Sequence, residues 1–208
     1  MINLVMRTCP TKILLLILLA LILVGCSPIH IIAGTGAGAT LGTRAAQERG
    51  ISGAARDAQI RFEINEKWFG LDTDLIKNLN LQVYEGRVLV SGVVQDVKLQ
   101  DDAIRIAWQP LAVREVINEI EVRDSGGIQK HIEDKWIANQ IRAKLLFAKN
   151  IFSLNYSVES VGSTVYLLGL AQDQDELDLV QQAARTTARV KKVVSHILIK
   201  GVPRSEKI

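Results

Sequence analysis

Cysteine, histidine and proline are scarce in this chain. Its 208 residues include two cysteines, three histidines and four prolines, and aromatic residues make up 5%. Two cysteines exclude a multi-disulfide scaffold and a four-cysteine metal cluster. His30, His131 and His196 are scattered, with no pair at metal-ligand spacing. Lys and Arg number 25 against 22 Asp and Glu, so the broad basic field of a nucleic-acid binder is missing. No serine or cysteine nucleophile motif is present. The acidic pairs Asp101-Asp102 and Asp173 with Asp175 and Glu176 stand at expected helix starts, where the helix dipole accounts for them without catalysis. The expectation is a non-enzymatic protein with no cofactor, metal, nucleic acid or small-molecule substrate.

A long apolar run is also missing. The mean hydropathy of +0.18 is high, but its source is local: Ile13 to Val24 is an unbroken apolar run of twelve residues. Crossing a bilayer takes about 20. Arg7 and Lys12 precede the run and small residues follow it, which is the layout of a cleaved secretory signal. Cys9 leaves with such a signal. Leu23-Val24-Gly25-Cys26 resembles the bacterial lipobox, in which the cysteine is lipidated and becomes the mature N-terminus. In that resemblance Ser27 after the cysteine implies sorting to the outer membrane. Several acyl chains on Cys26 hold far better than one, since each buried CH2 contributes roughly 0.8 kcal/mol. Ile29 to Ile32, followed by Gly34, Gly36, Gly38 and Gly42, imitates a strand entering a phosphate loop. The spacing is not G-x-G-x-x-G, and no Lys-Ser/Thr pair follows. The stretch is expected to be a flexible tether.

What the chain has instead is a repeat. GVVQDVKLQDDAIRIAWQPLAVREVINEIEV from Gly92 aligns without a gap on GLAQDQDELDLVQQAARTTARVKKVVSHILI from Gly169, an offset of 77. Upstream, Val88 and Val90 fall on Val165 and Leu167. Leu81 and Val83 are set on Tyr156 and Val158, with a two-residue change assigned to the turn. Ile60 and Ile64 fall on Ile137 and Ile141. The expected division is a signal peptide at 1–25, a lipidated tether at 26–54, modules at 55–123 and 132–201, a linker at 124–131 and a tail at 202–208.

Each module reads as helix, strand, strand, helix, strand. Ile60, Ile64 and Trp68 form one helical face, as do Ile137, Ile141 and Leu145. Glu85-Gly86 gives a short hairpin turn, and Val161-Gly162-Ser163 a longer one. Asp96 and Asp173 are expected caps of the second helix. That helix would lie close on the sheet through Ala103 and Ala107, or Ala183 and Ala184. VINEIEV and VVSHILI return parallel to the preceding strand. His196 is set against Asn118 and expected to face solvent. The fold class is α+β: two tandem modules, each a three-stranded mixed sheet with two helices packed on it.

YEGRVLVSGVV with VREVINEIEV, and GSTVYLLGLA with VKKVVSHILIK, carried behind a lipobox cysteine, resemble the dual BON-domain outer-membrane lipoproteins (the DolP-like group). The resemblance covers about two-thirds of the chain plus the lipobox. It implies a non-enzymatic protein on the periplasmic face of the outer membrane that maintains envelope integrity. It implies further that the first helix of the second module binds anionic phospholipid.

The residues of that helix, from about 132 to 149, allow the implication to be weighed. Ile137, Ile141, Leu145 and Ala148 occupy the core face. Trp136, Ala143 and Phe147, with Leu146 nearby, form a second apolar face. Lys135, Arg142 and Lys149 flank it at seven-residue intervals. Apolar contact beside cations is the recipe for interfacial binding to an anionic membrane. In the first module Gln59, Glu66 and Gly70 stand at those apolar places, giving a polar face. Three readings remain open for Trp136 and Phe147: lipid contact, contact with the first module, or core. The loop Asn150-Ile151-Phe152 extends a lipid patch or buries its apolar side chains as Leu75-Ile76 does. The rival function is a protein–protein adaptor for an outer-membrane assembly or cell-wall partner, with Trp136 as anchor.

Overall fold

The computed structural model describes residues 50–123 and 128–202. The stretch expected to be a signal peptide, Cys26 and most of the stretch expected to be a tether lie outside the described residues. The first module comprises helix α1 (Gly50–Leu71), short helix α2 (Thr73–Asn78), strands β1 (Leu79–Tyr84) and β2 (Arg87–Val94), helix α3 (Val97–Ala107) and strand β3 (Glu115–Val122). The second comprises helix α4 (Ile128–Phe147), a 3-10 turn (Ser153–Asn155), strands β4 (Tyr156–Val161) and β5 (Thr164–Ala171), helix α5 (Gln174–Arg185) and strand β6 (Lys192–Ile199). Each sheet has three strands, β1-β2-β3 and β4-β5-β6, with the first pair antiparallel and the second parallel.

Local chemistry sets the element ends. Asp96 and Asp173 cap α3 and α5, accepting from the Lys98 and Glu176 amides at 2.8 Å. Both hairpins turn on two residues with positive φ, Glu85-Gly86 and Gly162-Ser163, the geometry that matches strand twist. A buried aspartate under each turn fixes it. Asp57 accepts the amides of Glu85 and Gly86 at 2.8 and 2.9 Å. Asp134 accepts those of Gly162 and Ser163 at 2.8 and 2.9 Å, and the Ser160 hydroxyl at 2.7 Å. Opposite the start of each hairpin a glycine is enforced: a Cβ on Gly92 would lie 2.2 Å from the Asn78 carbonyl oxygen, and one on Gly169 2.1 Å from that of Asn155.

The register corrects several details of the expectation. Leu81 pairs with Val90 and Val158 with Leu167, so the 77-residue offset runs unbroken through the first strands. Val158, not Tyr156, is the counterpart of Leu81, and the second turn is no longer than the first. Val180 and Ala184 take the buried places of Ala103 and Ala107, while Ala183 is half-buried. Leu75 is buried but Ile76 is exposed. Helix α1 begins inside the stretch read as tether, and α4 begins in the stretch read as linker and ends before Lys149.

Two cores lie between helices and sheets. Ile60, Ile64 and Trp68 of α1 meet Val83, Val88 and Val90, with Ala103 and Ala107 of α3 closing the layer; the Trp68 indole donates to the Ala103 carbonyl at 3.2 Å. Ile137, Ile141 and Leu145 meet Val158, Val165 and Leu167 in the same way. The opposite sheet faces form a third core. Tyr84 and Leu89 pack against Val161, Tyr166 and Leu168, with Val93, Ile117, Leu170 and Val194 around them. The two sheets therefore stack face to face with their helices outside, a four-layer sandwich. β1 touches β5, and β4 touches β2. Glu119 and His196, equivalent positions of the two modules, meet at 2.8 Å. Such reciprocal contacts define a pseudo-twofold axis. His196 thus matches Glu119 rather than Asn118, and faces the other module rather than solvent. Beside it the buried Arg87 binds Glu115 at 2.7 Å and donates to the His196 carbonyl at 2.7 Å.

Gly169→Ala should lower stability by roughly 2–5 kcal/mol, through strain and overpacking together. Gly70→Ala, on an exposed helical site with nothing within 4 Å, should raise it by about 0.5–1 kcal/mol; denaturant midpoints read both. The Tyr166 phenol, in the inter-module core, is pushed from 10.0 up to about 12 by burial, then by Glu121 and Glu119, against the pull of Arg123. Folding therefore favours its neutral form. That contribution is intact below pH 10 and is lost as pH rises from 10 towards 12. Wild type should lose more stability than Tyr166→Phe between about pH 9 and about pH 11.5 in guanidinium titrations.

Candidate functional site

Helix α4 owes its position to its inner face. Asp134, Ile137, Ala138, Ile141 and Leu145 are buried at three- and four-residue spacing. The outer face is then set by geometry. Trp136, Leu146 and Phe147 are 41%, 62% and 83% exposed, and Ile132 is 65% exposed. Phe152 and Leu154, just after the helix, are exposed as well. These side chains stand outside the three cores; Trp136 and Phe147 belong to none of them. Ala143 lies among them and is exposed.

The expected cationic flank is rearranged. Lys135 is exposed on α4. Lys149 is exposed but follows the helix end at Phe147. Arg142 is tied down: its guanidinium donates to the Val158 carbonyl, to Glu159 at 2.7 Å and to Asn139 at 3.0 Å. It joins the helix to β4 and offers little free charge to a ligand. In its stead Arg189, from the loop after α5, lies over the Trp136 ring at 5.3 Å and pairs with Glu133 at 3.6 Å. A cation on a half-exposed indole joins apolar and charged contact in one place. The sequence carried no periodic signal for Arg189, because a loop brings it across. Leu154 likewise carries no periodic signal, whereas Ile132 does, lying four residues before Trp136 on the same helix.

The first module is less polar than expected. Gln59, Glu66 and Gly70 do replace Trp136, Ala143 and Phe147. Yet Phe62 and Phe69 project from α1 and are exposed, Phe69 at the counterpart of Leu146. Trp108 and Leu111, in the loop after α3, are exposed too. Lys67 donates to Gln109 at 2.7 Å, which sets this loop beside α1. Both modules therefore display apolar side chains on their helical sides, and the sandwich points those sides in opposite directions.

The acidic residues have structural duties. Asp173 caps α5. The buried Glu176 accepts the Phe152 amide at 2.6 Å and the Gln172 amide at 2.8 Å. Asp101 and Asp102 do not stand at the start of α3, as expected, but in its middle, beyond the first turn where the dipole acts; Asp102 instead pairs with Arg105 at 2.6 Å. Among the described residues no group of three or more His, Cys, Asp or Glu side chains is placed to hold a metal ion. Among them, too, no helix is long and apolar enough to cross a membrane.

Comparison with known proteins places this architecture. An uncharacterised protein from the gshII 5′ region of Anaplasma centrale is 37% identical over 145 residues, covering 69% of this chain and 95% of that protein. The 21 kDa hemolysin of Actinobacillus pleuropneumoniae is 25% identical over 161 residues, 77% of this chain and 76% of that one. The outer membrane lipoprotein DolP of Haemophilus influenzae is 28% identical over 116 residues, 56% of this chain and 60% of that one. The BON domain profile matches twice, at residues 55–124 and 133–201, and so spans more than half of the chain. This chain, with its two tandem α+β modules, belongs to the BON-domain family.

Proposed function

We propose that this is a lipid-anchored, periplasm-facing envelope protein, held at the outer membrane through Cys26, whose second module lays α4 on anionic phospholipid and thereby supports membrane integrity without catalysis. The observation that carries this reading is the outer face of α4, where Ile132, Trp136, Leu146 and Phe147 stand exposed beside Lys135 and the Arg189–Trp136 pair. Apolar side chains recover free energy by entering the acyl boundary, at about 25 cal/mol per Å2, while cations are drawn to anionic headgroups. A tryptophan with a cation over its ring suits the interfacial depth, where an apolar body meets a polar edge. The likeness to a protein named as an outer membrane lipoprotein supports the location.

A second reading, a protein–protein adaptor, is favoured by one specific observation. Phe62 and Phe69 on α1, and Trp108 and Leu111 in the loop after α3, are exposed apolar side chains of the first module, on the side of the sandwich away from α4. With α4 on a membrane, those side chains face the aqueous space and a partner protein.

The lipid reading predicts that Trp136→Ala combined with Phe147→Ala weakens co-sedimentation with phosphatidylglycerol vesicles at least about tenfold, equivalent to ~1.4 kcal/mol, while thermal stability stays near wild type because both side chains lie outside the cores. Binding unchanged in that double variant would leave the adaptor as the function.

A further inference from the structure

A cleft at the junction of the two modules is lined by Lys77, Asn78 and Asn80 from the first, by Arg123 after β3, and by His131 and Lys135 from the start of α4. It holds about 80 Å3. With a water taking about 30 Å3 in the liquid, that is room for a phosphate-sized group. Its floor is fixed, because Asp134 is committed to the Gly162-Ser163 turn and the Ser160 hydroxyl. Asp134 is the one carboxylate in the lining, and two more pair with lining cations, Asp74 at 3.1 Å from Lys77 and Glu121 at 2.6 Å from Arg123. Ion pairs this exposed hold each other by only about 0–1 kcal/mol, so an incoming anion competes for their cations.

The pseudo-twofold axis supplies a comparison within the same molecule. At the mirrored positions Lys77 becomes Leu154, His131 becomes Ala54 and Lys135 becomes Ala58, while Arg123 becomes Lys200. A fold that accepts leucine and alanine at three of these places does not require bases there. The basic lining belongs to this cleft and not to the architecture.

We propose that this junction is a binding site for a phosphate group, in which Lys77 of the first module and Lys135 of the second close on the anion from opposite sides. Lysine ammonium groups and neutral amide donors match a tetrahedral oxyanion. The group arrives on a phospholipid headgroup or on a soluble phosphate ester. The headgroup form rests on the lipid reading of α4: Lys135 lies about a quarter-turn round the helix from Trp136, between the outer face and the cleft, so its ammonium can meet the phosphate of a lipid held under α4. Occupation by either form ties the two modules together, since each contributes a cation.

The test uses glycerol phosphate and, separately, phosphatidylglycerol vesicles, with the full chain. Lys77→Leu with Lys135→Ala installs the residues of the mirrored positions, which the fold already tolerates. Lys98→Ala with Lys192→Ala removes the same charge elsewhere. Amide shifts on titration with glycerol phosphate should saturate in wild type and in the Lys98/Lys192 variant, and weaken about tenfold in the Lys77/Lys135 variant. No saturable shift in wild type, or equal weakening in both double variants, overturns the site. Trp136→Ala with Phe147→Ala separates the two proposals. If that variant keeps glycerol phosphate and loses vesicles, both stand. If wild type binds glycerol phosphate but no vesicles, the lipid reading of α4 falls and the cleft remains a site for soluble phosphate esters. If wild type binds vesicles but not glycerol phosphate, the cleft proposal falls alone.

Discussion

The contact on which the rest depends is the stacking of one sheet on the other. A three-stranded sheet covered by two helices on one side has a second face that must be hidden or wet. Here Leu89, Tyr166 and Leu168 are at or near zero exposure on those second faces, so burial holds the modules together. At roughly 25 cal/mol for each Å2 of apolar surface removed from water, such a face is expensive to leave open. Hiding it fixes everything outside it. The helices are driven to the two outer layers, the strand edges meet at the flanks, and the clefts at the junction form where α1 and α4 pass the neighbouring sheet.

Most of the module was legible because its signals are local or repeated. The three-to-four spacing of Ile60, Ile64 and Trp68, the caps at Asp96 and Asp173, and the unbroken match from Gly92 onward each report a short-range constraint. The second hairpin is where the local signals are ambiguous. Tyr156 and Val158 both point to the helical side of β4, so alternation alone permits either of them opposite Leu81, and a shift by two residues preserves the pattern. The buried Asp57 and Asp134, 77 positions apart, would have settled it, since each must sit under its own turn. A lone aspartate on a helix face carries no such label in a sequence.

The inter-module face was also written in the chain, in a form that is easy to pass over. Val88-Leu89-Val90 and Val165-Tyr166-Leu167-Leu168 are apolar without alternation, which is the mark of a strand buried on both sides. What no pattern could show is where the charges go. Arg142 fits a cationic stripe by spacing and is spent on β4, whereas Arg189 fits no stripe and reaches Trp136 from a loop. Side-chain direction and loop placement decide between those fates, and both are properties of the packed state.

The meeting of Glu119 with His196 has a consequence for how such a chain can change. In a dimer of one module, a residue beside the axis faces its own copy: glutamate would meet glutamate, or histidine histidine. Only when the two halves are joined in one chain can they differ, and a repulsive self-contact become an attractive unlike pair. The same freedom allows one junction cleft to be lined with lysine and its mirror image with leucine and alanine. Covalent linkage thus converts a symmetric architecture into one with two distinguishable sides, at no cost to the contact that holds it together.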